Sequence, residues 1–264
     1  MKNKVLLLLI FPLLAFILPV IVLILFTFSG IWQYPALLPA TFNMRAVDFF
    51  LSNYEQILRS IGSSLAYSLS AAALTLVISI LPARILARSD FKGKQAIEAI
   101  LLAPALLPVI TFSMGAHLLF IKWGLIDSFP GVVFILSIFT YPYMLRALIT
   151  GFLASPPEIG ICAENLGAGR IFRLLRIDLP LLLPSIVAGG TIVFLISFSE
   201  YFLVFLIGGG RIASYSGYLF PFLNSSDHQI GSFLTLLFLV APLLLFLIIE
   251  FSITRMHRKM GLVH

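Results

Sequence analysis

Between positions 155 and 169 the chain reads Ser155-Pro156-Pro157-Glu158-Ile159-Gly160-Ile161-Cys162-Ala163-Glu164-Asn165-Leu166-Gly167-Ala168-Gly169. Ser155 can cap a helix, Pro156 fits the first helical position, and Glu158 stands where a capping-box acid belongs. Ile159, Cys162, Ala163 and Leu166 then share one face at the spacing i, i+3, i+4 and i+7. Gly167 and Gly169 end or sharply turn this piece. A second helical piece, Arg170 to Pro180, alternates arginines with large apolar residues. Long apolar runs flank the segment at about 129–150 and 183–207. A short helix held between such runs must bury its apolar face somewhere. The protein's own helix ends, a soluble partner and the lipid surface are the three candidates.

The flanking runs set the class. Apolar types make up 60% of the 264 residues and charged types only 11%, against about 25% charged in a typical globular domain. The mean hydropathy is +1.09. So few charges cannot cover a water-soluble domain, and disorder requires low hydrophobicity. The expected fold is an all-α integral membrane protein. A spanning helix needs about 20 apolar residues, and six stretches qualify or nearly so, at about 5–28, 61–86, 97–121, 129–150, 183–207 and 231–253. The short helix then lies in the connection at about 151–182, between the fourth and fifth spans. The first run follows Lys2 and Lys4, yet it exceeds the 7–15 residues of a signal-peptide core and no Ala-x-Ala-like site follows it. It reads as a retained helix, bent at Pro12 or Pro19.

Charge orients the chain. The formal net charge is +6. With six spans and a cytoplasmic N-terminus, the cytoplasmic side holds 13 of the 17 basic residues, among them Arg84, Arg88, Arg146, Arg170, Arg173 and Arg176. Arg45, Arg59, Lys122 and Arg211 are the other 4. The positive-inside rule therefore favours both termini in the cytoplasm. The outer loops, about 29–60, 122–128 and 208–230, carry interface aromatics, beginning in Gly30-Ile31-Trp32-Gln33-Tyr34-Pro35. The third opens with the flexible Gly208-Gly209-Gly210-Arg211.

No catalytic constellation is visible. Cys162 is alone, the four histidines are far apart, and there is no Walker loop, dinucleotide fingerprint or HExxH. No catalytic residue, cofactor, metal or nucleic acid is assigned to the chain. Ser197, Glu200 and Tyr201 are the candidate pathway or gate residues. An acid inside a span is costly and usually faces a cavity or a partner, and Glu200 lies about 10 Å from the outer end on a continuous helix. Contact with cargo, gating or structural pairing, and interfacial snorkelling all remain open for it. His117 and Lys122 read as interface residues, Glu250 as the partner of Arg255 or Arg258, and Pro104 and Pro108 as bends in the third span.

At the cytoplasmic connection the chain resembles the permease subunits of ATP-driven, binding-protein-dependent importers of the type I, MetI-like class. Their loop carries Glu-Ala-Ala, three residues, Gly, then Leu-Pro and commonly a further Pro. The matching stretch is Ile161-Cys162-Ala163-Glu164-Asn165-Leu166-Gly167-Ala168, continuing through Phe172 to Leu179-Pro180-Leu181-Leu182-Leu183-Pro184. Ile161 and Cys162 replace the Glu and the first Ala, and Glu164 comes three positions too late to restore the acid. The six-span layout and Pro142-Tyr143 with Arg146 also fit, so the likeness covers nearly the whole chain. Ser199-Glu200-Tyr201-Phe202 and Ile207-Gly208-Gly209-Gly210 look most like permeases grouped with those for polyamine, thiamine, iron and phosphonate.

The resemblance implies a single transmembrane permease domain over 1–264 in the bacterial inner membrane, forming half of a translocation pathway. It implies two ATP-binding cassette subunits carrying ATP and Mg, a second permease and an extracytoplasmic binding protein. The motif departure favours a distinct sister permease over an identical copy. Ala163, Gly167, Leu179 and Pro180 are the implied ATPase-coupling residues: Ala163 for close approach, Gly167 for the turn, Leu179 and Pro180 for the start of the fifth span. An ion-coupled secondary transporter or a channel-like protein is the alternative. It would be expected to show internal repeats and midplane ion ligands; no convincing repeat is visible, and the intramembrane acids are few.

Overall fold

The computed structural model describes residues 2–30, 32 and 36–259, with side chains from 14 to 247. The expected pairing of Glu250 with Arg255 or Arg258 lies outside the described side chains, as do Ile31 and 33–35. Among the described residues the regular elements are helices: α1 (Lys2–Phe28), α2 (Arg45–Arg88), α3 (Lys94–Leu102), α4 (Val109–Lys122), α5 (Phe129–Ala154), α6 (Pro157–Asn165), α7 (Arg170–Arg173), α8 (Leu179–Ser199), α9 (Phe202–Gly208), α10 (Tyr215–Leu223) and α11 (His228–Lys259). Among the described residues, four helical stretches are long and apolar enough to cross a membrane: α2, α5, Arg170–Ser199, and His228–Leu247 of α11. The bent pair Lys94–Leu106 and Val109–Lys122 passes the same test when its two arms are taken together, as a broken span or a re-entrant loop, and Leu14–Phe28 of α1 is a shorter apolar stretch.

Three spans differ from their sequence reading. The second is part of a 44-residue helix, about 66 Å long and so roughly twice the 30 Å hydrocarbon core. Its first turns occupy what reads as outer loop from Arg45 to residue 60. The third is broken: α3 runs on into a 3-10 turn at Ala103–Leu106, and α4 then leaves at 102° to it. Pro104 and Pro108 each lack a backbone donor; Ala103 before Pro104 stays helical, while Leu107 before Pro108 is extended at ψ 135°, so the chain breaks there where the sequence suggested a bend. The fifth begins earlier and ends sooner than 183–207. It runs through a π turn at Leu174–Asp178 and stops at Ser199.

The described residues form two compact units. In the unit made of Met1–Ile61 and Tyr215–His264, α1 packs along α11 and α10 along α11. Gln229 donates through Nε2 to the Thr27 carbonyl at 3.2 Å, and the Arg45 guanidinium pairs with Asp227. Tyr215, fully buried, donates its hydroxyl to the Leu234 carbonyl at 2.7 Å.

The unit Gly62–Ser214 has two apolar cores stacked along α5. One joins Tyr67 and Ala71 of α2 and Phe120 of α4 to Val132, Leu136 and Phe139, with Leu203 and Ile207 of α9. The other joins Ile80, Ala83 and Leu86 to Met144, Leu148 and Phe152, with Leu182 and Val193 of α8. α5 and α8 approach closely because Gly189 presents no side chain to α5. A Cβ there would lie 2.8 Å from the Ala147 Cβ and 2.9 Å from the Met144 sulfur. Buried hydroxyls bond within their own helices, as Thr140 does to the Leu136 carbonyl at 2.7 Å, which lets polar residues sit in an apolar core. Ser137 also reaches the Ala71 carbonyl at 3.3 Å, tying α5 to α2.

Candidate functional site

The segment between α5 and α8 is built by its prolines and glycines. Ser155 is extended, the conformation favoured before proline. It closes α5, its hydroxyl bonding back to the Gly151 carbonyl at 2.8 Å. The expected capping box at the start of α6 is therefore not made. Pro156 occupies the cap position and makes no side-chain cap bond, and Pro157 is the first helical residue. At the other end Leu166 is the C-cap. The Gly167 N–H bonds to the Glu164 carbonyl and the Ala168 N–H to the Ala163 carbonyl, both at 2.9 Å. This double closure is a Schellman motif, which needs a left-handed residue at its centre, and Gly167 has φ +82°. The expected turn at Gly167 is thus present.

α6 rests on the chain through its small residues. Ala163 is its one buried residue among those described, and a Cβ on Gly160 would sit 3.8 Å from Cδ of Arg173. Ala163 accordingly packs inside the loop and does not present itself outward. The rest of the face expected to be buried with Ala163 is left open: Ile159 is 41% exposed and Leu166 88%, and Cys162 is exposed as well. Ile161, Ile171, Phe172 and Leu175 are also exposed. The small Gly160 and Ala163 let the helix lie flat, while the large apolar side chains point away.

Arginines fix the segment to the helices around it. Arg173 pairs with Glu164 at 2.7 Å across the Gly167 turn, and Arg84 of α2 with Asp178 at 3.6 Å. Arg88 donates to the Ser155 carbonyl at 2.6 Å, and Arg146 of α5 pairs with Glu98 of α3 at 2.7 Å. The end of α2 is thereby tied to the end of α5 and the start of α8, α3 to α5, and α6 to α7, by four arginines. Sequence reading used these residues as charges for orientation, Arg146 also in the resemblance and Arg173 in the alternating piece after Gly169, but named no partner for them. Opposite charges nine positions apart across a glycine turn, Glu164 and Arg173, are the one signal that could have found the clamp.

Leu179 and Pro180 follow the π turn, and Leu179 packs against the core formed by Met144 and Leu182. Pro180 offers no N–H to the Arg176 carbonyl and crowds it, which accounts for the wider turn just before it.

Ser197, Glu200 and Tyr201 lie at the far end of the same span, where the helix breaks. Glu200 is extended at ψ 111°, and its carboxylate accepts from the Phe202 and Leu203 N–H groups at 3.1 and 3.2 Å. It therefore caps α9, and it does not stand on a continuous helix as the sequence suggested. Ser197 is fully buried, and its hydroxyl has no hydrogen-bond partner among the described residues. Beyond α9, Gly209 takes φ +54° beside the Asp127 carboxylate, and Asp127 donates its N–H to the Ile207 carbonyl at 2.8 Å.

No protein-family model matches the chain. It is 30% identical over 146 residues to the molybdate/tungstate transport system permease protein WtpB of Thermococcus kodakarensis, covering 54% of this chain and 58% of that one. It is 26% identical over 159 residues to the spermidine/putrescine transport system permease protein PotC of Haemophilus influenzae, covering 60% and 62%. It is 30% identical over 151 residues to the molybdenum transport system permease protein ModB of Escherichia coli K12, covering 52% and 66%. The chain thus spans about three fifths of the length of the relatives it matches. The polyamine group named by the resemblance is represented here, and molybdate permeases, which it did not name, stand beside it. A crystal structure of a bacterial ABC transporter involved in the import of the acidic polysaccharide alginate superimposes with a TM-score of 0.73 over 94% of each chain, at 15% identity. The chain is therefore a homologue of ABC-transporter permeases and has the fold of a chain of an ABC importer.

Proposed function

We propose that this chain is the membrane-spanning subunit of an ATP-driven importer, and that α6 with its Gly167 turn is where an ATPase subunit docks. The observation that carries the reading is the exposed set Leu166, Ile171 and Phe172, on a segment otherwise clamped to the helix ends by Arg84, Arg88 and Arg173. Large apolar side chains held rigidly outward want a partner. A rigid mount transmits that partner's movement to α5 and α8 in place of absorbing it, which is what a two-state element driven by nucleotide requires. In this reading Leu166 and its neighbours touch the ATPase, Ala163 and Gly167 shape the loop, and Leu179 and Pro180 carry its movement into the fifth span.

Orientation and span number belong to the same proposal. If the bent pair α3–α4 were re-entrant, Arg146, Arg170, Arg173 and Arg176 would change sides and the positive-inside split would fail. A crossing pair, with α1 also spanning, keeps the connection and both termini in the cytoplasm and gives six spans.

Half a pathway needs a second permease, and the lost acid at Ile161 favours a distinct sister that retains it. The relatives' names cover molybdate/tungstate, spermidine/putrescine and sulfoquinovosyl glycerol. Their common element is the permease and not the cargo. Cargo selection accordingly falls to an extracytoplasmic binding protein, and ATP and Mg to the ATPase pair. Purification from native membranes tests this. An ATPase, a second permease and a binding protein should be retained together. Substrate uptake by the isolated chain under an ion gradient would contradict it.

A further inference from the structure

Behind α6 lies a cleft of about 250 Å³, lined by Arg84, Arg88, Arg173 and Asp178. That is the space of roughly eight waters at about 30 Å³ each. Three arginines and one aspartate line it, and Arg88 already donates to the Ser155 carbonyl at 2.6 Å. The single acid does not satisfy them: it stands 3.6 Å from Arg84, and its Oδ2 has no hydrogen-bond partner among the described residues. Arg173 spends Nη1 on Glu164, while its Nε is buried with no acceptor, on a side chain only 13% exposed. A buried, unanswered guanidinium donor is costly and calls for an acceptor. The remaining wall is apolar, formed by Phe152, Ile177 and Leu181, with Leu181 41% exposed at the end of a span.

We infer that this cleft holds the phosphate of an anionic phospholipid headgroup. Guanidinium groups match phosphate oxygens, and basic pockets between spanning helices on the cytoplasmic side are suited to anionic headgroups. The apolar wall decides between a lipid and free phosphate. A phosphodiester carries glycerol and acyl carbons that cover Leu181 and Ile177, whereas an inorganic ion leaves them bare. Arg84 pairs with Asp178 and Arg173 with Glu164, which leaves one arginine in excess; the bound lipid neutralises it and so stiffens the mount beneath α6. This rests on the orientation proposed above, which puts the cleft at the cytoplasmic membrane surface.

The test reads lipid retention and requires no ATPase, so it can fail independently of the importer reading. The full chain, with whatever subunits accompany it, is equilibrated in phosphatidylcholine bilayers with and without phosphatidylglycerol. Retained lipid is then counted by native mass spectrometry. One phosphatidylglycerol should stay bound per chain. Arg88→Gln should weaken retention about fivefold, the weight of one basic residue at an anionic surface. Asp178→Asn should strengthen it by a similar factor. A merely damaged loop would lower retention in both variants, so opposite signs support the site. Retention unchanged in both, lowered in both, or lost to competing inorganic phosphate overturns it.

Discussion

Arg173 and Glu164 meet at 2.7 Å on opposite sides of the Gly167 turn, the arginine 13% and the glutamate 66% exposed. The pair folds α7 back against α6, so the direction in which Leu166 points is fixed by a charge pair as well as by the backbone. A half-exposed ion pair contributes only about 0.2–1 kcal/mol. Glu164→Ala also leaves Nη1 of the largely buried Arg173 without its acceptor, so the thermal midpoint should fall modestly. The effect should be local, with faster limited proteolysis between residues 157 and 170 while the spans stay protected. Unchanged cleavage would show that the backbone closure holds the turn by itself.

Gly167 carries a purely conformational requirement, since nothing lies within 4 Å of where its Cβ would be. A non-glycine residue at φ +82° costs about 1–2 kcal/mol, and Asn, which tolerates this region, costs least. Activity should fall in the order Asn, Ala, Val. Gly167→Asp, which adds charge to an apolar contact, should abolish substrate-stimulated ATPase activity without affecting membrane insertion. Equal activity across the series, measured in reconstituted vesicles, would remove the turn from the coupling account.

Gly189 is constrained differently, by Ala147 and Met144. Gly189→Val should overpack the contact between α5 and α8 and cost roughly 1–3 kcal/mol. The check is a lowered unfolding midpoint in detergent.

Glu200 caps α9, and this separates two roles. Gln keeps an acceptor oxygen for the Phe202 and Leu203 N–H groups, and Ala does not. Glu200→Ala should lose about 1 kcal/mol of stability, and Glu200→Gln should keep both stability and transport. A Gln variant that is stable but inactive would instead place the charge itself in the pathway.

What the sequence revealed and what it hid have physical causes. Long apolar runs make α5 and α11 legible, because desolvation in lipid leaves few alternatives to a helix. Pro104 and Pro108 show that the third span is irregular, but the 102° break depends on tertiary packing. Glu200 reads as an acid buried in a span because hydropathy does not reveal that the chain has stopped being helical there. In α6 the spacing of Ile159, Cys162, Ala163 and Leu166 correctly shows a helix, yet of that face only Ala163 is buried, beside Gly160, while the larger residues stay open. Periodicity locates an apolar face but does not say whether this chain or another covers it.

The exposure of Leu166 is the most direct handle on the central claim. A Leu166→Cys change in a Cys162→Ser background places the thiol introduced at the turn. Cysteine-directed cross-linking in native membranes should then join the chain to a cytoplasmic ATPase subunit, with a yield that changes when ATP is bound. Labelling of that cysteine by a membrane-impermeant reagent from outside, with no ATPase adduct under any nucleotide condition, would contradict both the docking role and the orientation of the chain.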